Sequence, residues 1–149
     1  MRAPLCVVVD TREKAPLQFS DRVVAVRDTL PTGDYSIRGA ERELAVERKS
    51  LDDFVSSVLH ERPRFKRELA RLRAYRAACI VVEASLADIL GHRYYSRAHP
   101  AAVAGAAIAI LVDYGIPVVF CSDREGAARF TEGYLVRSYQ KVRAECRSE

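Results

Sequence analysis

Six short strand-like runs, with helix-patterned segments between the later ones, predict an α/β domain: a mixed β-sheet flanked by helices. Three observations carry that expectation. Leu5-Cys6-Val7-Val8-Val9 and Ile80-Val81-Val82 are continuous apolar runs of strand length, as in strands covered on both faces. Residues 34–38 and 42–49 read as two strands around Gly39, a hairpin, so part of the sheet is antiparallel. Helical periodicity begins after Lys49 and returns after each later strand. With 149 residues, 49% of them hydrophobic, the chain can form one core without disulfide staples.

Taken in order, strands are expected at residues 5–10, 22–27, 34–38, 42–49, 79–83 and 117–121. Ser50 reads as an N-cap with Asp53 at the third helical position, and Phe54, Val55, Val58 and Leu59 form the buried stripe that follows. A second helix covers residues 62–76, with Pro63 in its first turn and Phe65, Leu69 and Leu72 at spacings of three and four. Residues 100–114 form an Ala-rich helix with Val103, Ala107, Ile110, Leu111 and Tyr114 on one face, stopped by Gly115. Ser122-Asp123-Arg124-Glu125 reads as a capping box that opens a long final helix through Tyr134, Leu135 and Tyr139. There is no internal repeat.

The hairpin carries the chemistry. A symmetric fold about Ala40 and Glu41 places Asp34 opposite Glu47, so both carboxylates share one sheet face. Opposed residues of an antiparallel pair lie roughly 5 Å apart, and like charges there are destabilising without compensation. A divalent cation such as magnesium compensates them, because it takes one or two carboxylates plus waters and substrate phosphates. Lys49 follows Glu47 by two residues and points to the same face at about 7 Å. It can neutralise charge on a phosphorane or orient the attacking water, and both roles stay open. Arg48 alternates to the opposite face. A lone Glu-x-Lys is ordinarily a solvated strand end, so the surrounding pattern has to decide.

That pattern is Asp10-Thr11-Arg12-Glu13 closing the first strand, Gly33-Asp34 opening the hairpin, Glu47-Arg48-Lys49 ending it, and Asp53 four residues after the lysine. It resembles the signature of the XPF family of structure-specific endonucleases, with no position missing. The resemblance implies a restriction-endonuclease-like fold, a Mg²⁺ or Mn²⁺ cofactor, DNA as substrate and dimerisation through the nuclease domain. It implies that Asp34 and Glu47 hold the metal, that Asp10 assists or ligates a second ion, and that Lys49 acts on water or the transition state. Arg12 and Glu13 then support the site, and the Arg48 side chain braces it. Asp53 either takes part or merely fixes the helix start. The helix-hairpin-helix module and helicase-like region usual in the family do not fit in 149 residues, so a stand-alone nuclease domain is expected. Two other readings are a non-catalytic DNA-binding partner subunit, against which the intact acids argue, and a mobile-element or restriction-type nuclease with a sequence-defined target.

Net charge is +4, yet between Glu61 and Arg76 seven cations face two acids, a local +5. Beside a metal site, Arg62, Arg64, Lys66, Arg67 and Arg71 suit a phosphate backbone. The helix at 100–114 and the final helix are the expected surfaces for a homodimer or a heterodimer. Four scattered cysteines without zinc spacing, and the lack of a signal-peptide core or an apolar stretch of membrane-spanning length, fit a reducing cytoplasmic setting. His60, His92 and His99 have no metal-ligand spacing. Tyr94 and Tyr95, in a loop, are candidates for base stacking or simple packing.

Overall fold

The computed structural model describes residues 3–148. Strands β1 (Leu5–Asp10), β2 (Val23–Asp28), β3 (Tyr35–Ile37), β4 (Leu44–Lys49), β5 (Ala77–Val82) and β6 (Val118–Phe120) form one sheet in the order β2-β1-β3-β4-β5-β6. Only β3 runs antiparallel to its neighbours; β1 pairs β2, β4 pairs β5, and β5 pairs β6 in parallel. The sheet is thus mixed, and it is flanked by helices as expected.

Alternation along the strands divides the core in two. Val7, Val9, Tyr35, Ile37, Leu44, Val46, Cys79 and Val81 pack under α5 (Arg124–Ser148). Ala45, Ile80 and Val82 face the other way, against α1 (Leu51–Leu59), α2 (Arg62–Arg73), α3 (Leu86–Leu90) and α4 (Pro100–Tyr114). Residues 45, 47 and 49 therefore share the face covered by α1 and α2, whereas Arg48 belongs to the α5 side.

The hairpin keeps the register that symmetry requires: Tyr35 pairs with Val46, which sets Asp34 against Glu47. Gly33 makes this approach possible. Its φ is +82°, and an added Cβ would lie 3.1 Å from Ala45 Cβ and 3.3 Å from Val46 O. The turn is wider than the expected strands 34–38 and 42–49 allow. Gly39 has φ +95°, and the N–H groups of Glu43 and Leu44 both donate to Ala40 O, so β4 starts at Leu44.

Other boundaries also shift. The expected cap at Ser122 is displaced: Ser122 adopts φ +70°, and Asp123 Oδ1 accepts from Gly126 N at 2.8 Å, so Asp123 caps a helix that opens at Arg124. Helix α2 ends at Arg73, where Tyr75 N turns back to Leu72 O. Helix α3 was not anticipated, though Ser85 and Asp88 form a reciprocal capping box. Ser50 does cap α1, accepting from Asp53 N at 3.2 Å. The four cysteines are unpaired, with Cys79 and Cys121 buried. No helix among the described residues is long and apolar enough to cross a membrane.

Candidate active site

Glu47 and Lys49 leave the C-terminal end of β4 on the α1/α2 face and, with Asp34, line a cavity of about 300 Å³ whose wall also includes Asp53, Arg64 and Glu68. The Glu47 and Lys49 side chains are only 14% and 13% exposed, so their charges interact with little screening by water. Lys49 Nζ lies 3.7 Å from Glu47 Oε1 and 3.9 Å from Glu68 Oε1, and 5.5 Å from the centre of the Phe65 ring. Asp34 Oδ2 accepts from Arg48 N at 2.8 Å. Burial pushes the Asp34 carboxyl up to about 6 despite that bond, and the Glu13 charge adds to the rise. Burial, then the charges of Asp34 and Glu68, push Glu47 well above the carboxylate range. One lysine thus serves three crowded carboxyl groups, and Glu68 Oε1 is buried with no hydrogen-bond partner.

The α5 side holds a different cluster in which every charge is matched. Arg48 donates to Glu13 through Nε at 2.7 Å and Nη2 at 2.8 Å, and to Glu83 through Nη1 at 2.8 Å. Tyr35 Oη donates to Glu13 Oε2 at 2.5 Å and accepts from Leu17 N at 2.8 Å. Burial alone would raise Glu13, yet the hydrogen bonds from Arg48 and Tyr35 hold it below the usual range. Arg124, at the start of α5, approaches Glu83 at 3.6 Å and donates to the carbonyls of Ala15 and Pro16. Asp10 sits one step back. Its Oδ1 accepts from Leu30 N at 2.8 Å and its Oδ2 from Arg12 Nε at 2.7 Å. Burial would raise Asp10 as well, but these bonds leave it lowered. The Arg12 guanidinium is in turn drawn by Asp34 and Glu47 as well as by Asp10.

Among the described residues, no three His, Cys, Asp or Glu side chains are set as a ready-made metal cage. The donors that do converge are hard oxygens from two carboxylates with a third behind them, which suits an ion that keeps several waters. The ERCC4 domain matches residues 9–134, a span that contains both clusters. The chain belongs to the ERCC4 family. It is 31% identical over 127 residues to the 3'-flap repair endonuclease Xpf of Saccharolobus solfataricus, a match covering 82% of this chain and 51% of that protein. It is 30% identical over 128 residues to a Methanocaldococcus jannaschii protein that carries the name ATP-dependent RNA helicase MJ1505, covering 85% of this chain and 15% of that one. The chain therefore spans about half of one curated relative and a small part of the other. The structure of XPF from Aeropyrum pernix in complex with DNA aligns with a TM-score of 0.70 at 28% identity, over 92% of this chain and 66% of that chain. A second structure of XPF from Aeropyrum pernix aligns equally well over 89% of this chain.

Within this ERCC4/XPF nuclease fold, the expected site residues separate into groups. Asp34, Glu47, Lys49 and Asp53 share the acidic cavity; Glu13 and Arg48 reach its wall while bracing each other from the α5 side; Asp10 and Arg12 pair with each other. The basic residues of α2 do not all face one way. Arg64 lines the acidic cavity, while Arg62 and Lys66 border a separate cavity against α4. Arg67 and Arg71 are exposed, at spacings of three and seven from Arg64. In the loop, Tyr94 is buried with its hydroxyl on Ala98 O, and Tyr95 is 96% exposed.

Glu68 is the residue that sequence reasoning missed. Its signal is present all the same. Phe65, Glu68, Leu69 and Leu72 recur at i, i+3, i+4 and i+7, so a glutamate stands on the buried stripe of α2. A charge at a core position asks for a partner, and here the partner is the Lys49/Glu47 pair.

Proposed function

We propose that this ERCC4-family domain is a Mg²⁺- or Mn²⁺-dependent endonuclease that hydrolyses DNA phosphodiester bonds, acting on branched, flap or fork DNA in repair or recombination. The observation that carries the reading is the crowding of Asp34, Glu47 and Glu68 around one lysine, with a buried carboxylate oxygen left unpartnered. Such a cluster is costly for a fold to keep unless positive charge joins it. Asp34 and Glu47 would hold the ion, and when bound it supplies neutralising charge at the phosphate oxygens.

The chain's own groups do the rest. Lys49, once Glu47 is engaged elsewhere, keeps Glu68 as its counter-ion and presents its ammonium to the scissile phosphate. Arg48 N fixes the Asp34 carboxylate, and the Glu13–Arg48–Glu83 brace fixes β4 beneath it. Asp10 acts through Arg12, which it orients, and Asp53 borders the cavity at the start of α1. A panel of labelled duplex, single-stranded, flap and fork DNAs with Mg²⁺, with and without EDTA, tests the reading. The expected result is cleavage that EDTA abolishes; a folded protein that cleaves none of them contradicts it.

Arg64, Arg67 and Arg71 follow the face of α2 that reaches the cavity, and on this reading they track phosphates. Replacing the three by Gln should weaken binding to all DNA sequences alike and lower the salt slope by about 0.9 per lost contact. An unchanged slope would show the charges to be merely solvated.

Assembly rests on α4. Ile108, Leu111 and Val112 are exposed by 63%, 51% and 73% on its outer face, whereas Leu135 of α5, expected on the same surface, is fully buried against the sheet. A homodimer through α4 is therefore expected in light scattering, and Leu111→Asp should dissociate it. A monomer at tens of micromolar protein, free and DNA-bound, would leave a different partner subunit as the reading.

A further inference from the structure

A cavity of about 920 Å³ lies apart from the acidic one. It lies between α5 and residues 18–22, and Arg124, which donates to the Ala15 and Pro16 carbonyls, is part of its wall. It shares Arg22, Glu132 and Gly133 with a second cavity of about 780 Å³ that continues along α5 to Arg147. The result is one groove, about 35 Å long by the rise of the helix from Arg124 to Arg147. At one end its wall residue Arg124 lies 3.6 Å from Glu83, the residue that follows β5, and at the other end it reaches Arg147.

The groove is basic: of its six arginines, Arg124 is held by Glu83 and the Ala15 and Pro16 carbonyls and Arg143 lies over the Tyr139 ring, while the other four have no close acid among the described residues. Helix α5 carries six cations against three acids, a second positive excess beside that of α2. Arg22, Arg137 and Arg147 pair with no acid among the described residues, and Arg129 has only an exposed contact of 3.9 Å to Glu125. The one central acid, Glu132, is consumed by Ser20, whose N–H and hydroxyl both donate to it at 2.7 Å. Half-buried Phe19 and Tyr139 add aromatic surface to the walls.

Gly133 supplies an independent observation. It stands inside a 25-residue helix, where glycine weakens the helix relative to alanine, and a Cβ added there would meet nothing within 4 Å. Nothing among the described residues requires glycine at that point. A bare backbone at the junction of two cavities is what a close-approaching ligand requires.

We propose that this groove binds single-stranded DNA, guiding one strand away from the acidic cavity with Arg22, Arg129, Arg137 and Arg147 on its phosphates and Gly133 at its floor. Arginines without close acids, with partly buried Phe19 and Tyr139 in the same walls, suit a flexible strand whose bases can stack. The proposal rests on the endonuclease reading for its purpose, but its test does not use cleavage. Anisotropy of a labelled oligo-dT with the full chain in EDTA is the measurement.

Arg22→Gln/Arg129→Gln/Arg137→Gln should lose roughly tenfold or more in affinity, and its salt slope should fall by about 0.7 per lost contact. Gly133→Leu should weaken binding by blocking the floor while keeping or raising the melting temperature. Gly133→Ala should weaken binding in the same direction but by less, and affinity for blunt duplex should be unchanged in all three. Parent-like oligo-dT binding in both the triple variant and Gly133→Leu overturns the proposal. So does an equal loss on duplex, or a change of oligomeric mass in place of affinity, which would mark a protein contact. A protein that binds oligo-dT here but cleaves no DNA would overturn the endonuclease reading and leave this one standing.

Discussion

Asp34→Asn is expected to stabilise the metal-free protein and to remove at least about a hundredfold of cleavage rate, roughly 2.7 kcal/mol of barrier. Both effects come from the same crowding. The Asp34 carboxyl is raised from 3.8 to about 6 in the folded chain, so between those values the folded state holds a proton that the unfolded state has released. Stability contributed by that proton is complete below the unfolded value and is lost as pH rises through about 6. Above that, the ionised carboxylate is a standing cost of about 1–2 kcal/mol, after a discount for partial exposure from roughly 1.4 kcal/mol per pH unit. Asparagine can keep the acceptor for Arg48 N without the charge. The variant should therefore melt a few degrees higher at pH 7.5, at roughly 2–4 °C per kcal/mol for a chain of this size. Mg²⁺ should raise the parent's melting temperature more at pH 7.5 than at pH 5.5, and Asp34→Asn should show little of that gain. A variant less stable than the parent at both pH values would refute the electrostatic account.

Glu13→Ala is expected to be the most destabilising single change at the site, by about 3–5 kcal/mol, which lowers the melting temperature by about 10 °C. The Glu13 and Arg48 side chains are 9% and 16% exposed, and their bidentate pair also receives the Tyr35 hydroxyl. Removing the carboxylate leaves a buried guanidinium with Glu83 alone and a fully buried phenol without its acceptor. The pH dependence has the opposite sign to that of Asp34. Because Glu13 is held below its ordinary 4.5, its contribution is present above that value and is lost as pH falls below it. Thermal melts of parent and variant should therefore converge in acid. A loss under 1 kcal/mol at neutral pH would show that the brace is not structural.

The acidic half of the site was legible in the sequence because it is local. Hairpin symmetry about Ala40 and Glu41 is enough to oppose Asp34 and Glu47, and period-two alternation is enough to send Lys49 to the same face and Arg48 to the other. The brace was not legible from spacing. Glu13, Arg48, Glu83 and Arg124 come from four separate segments, and only the parallel pairing of β4 with β5 and the crossing of α5 bring them together. Glu68 carries a legible signal as well, because a glutamate on the buried stripe of α2 needs a partner in the core and not an arginine on the surface. The final helix cap was misplaced by one residue because Ser122, which fits the capping-box pattern, is spent on a left-handed turn, leaving Asp123 to do the capping. Leu135 shows the same limit. An apolar residue on an amphipathic helix can serve core or interface equally well by pattern, and the sheet claims it.

The most direct test of the central claim is single-turnover cleavage of a labelled flap or fork DNA by the parent and by Glu47→Ala, with saturating Mg²⁺ and matched circular dichroism. Glu47 stands between Asp34, Lys49 and Glu68, so removing its carboxylate while leaving the brace intact isolates the acidic cavity from the fold. The account predicts a folded variant whose rate is lower by at least about a hundredfold. Parent-level cleavage by folded Glu47→Ala would contradict it.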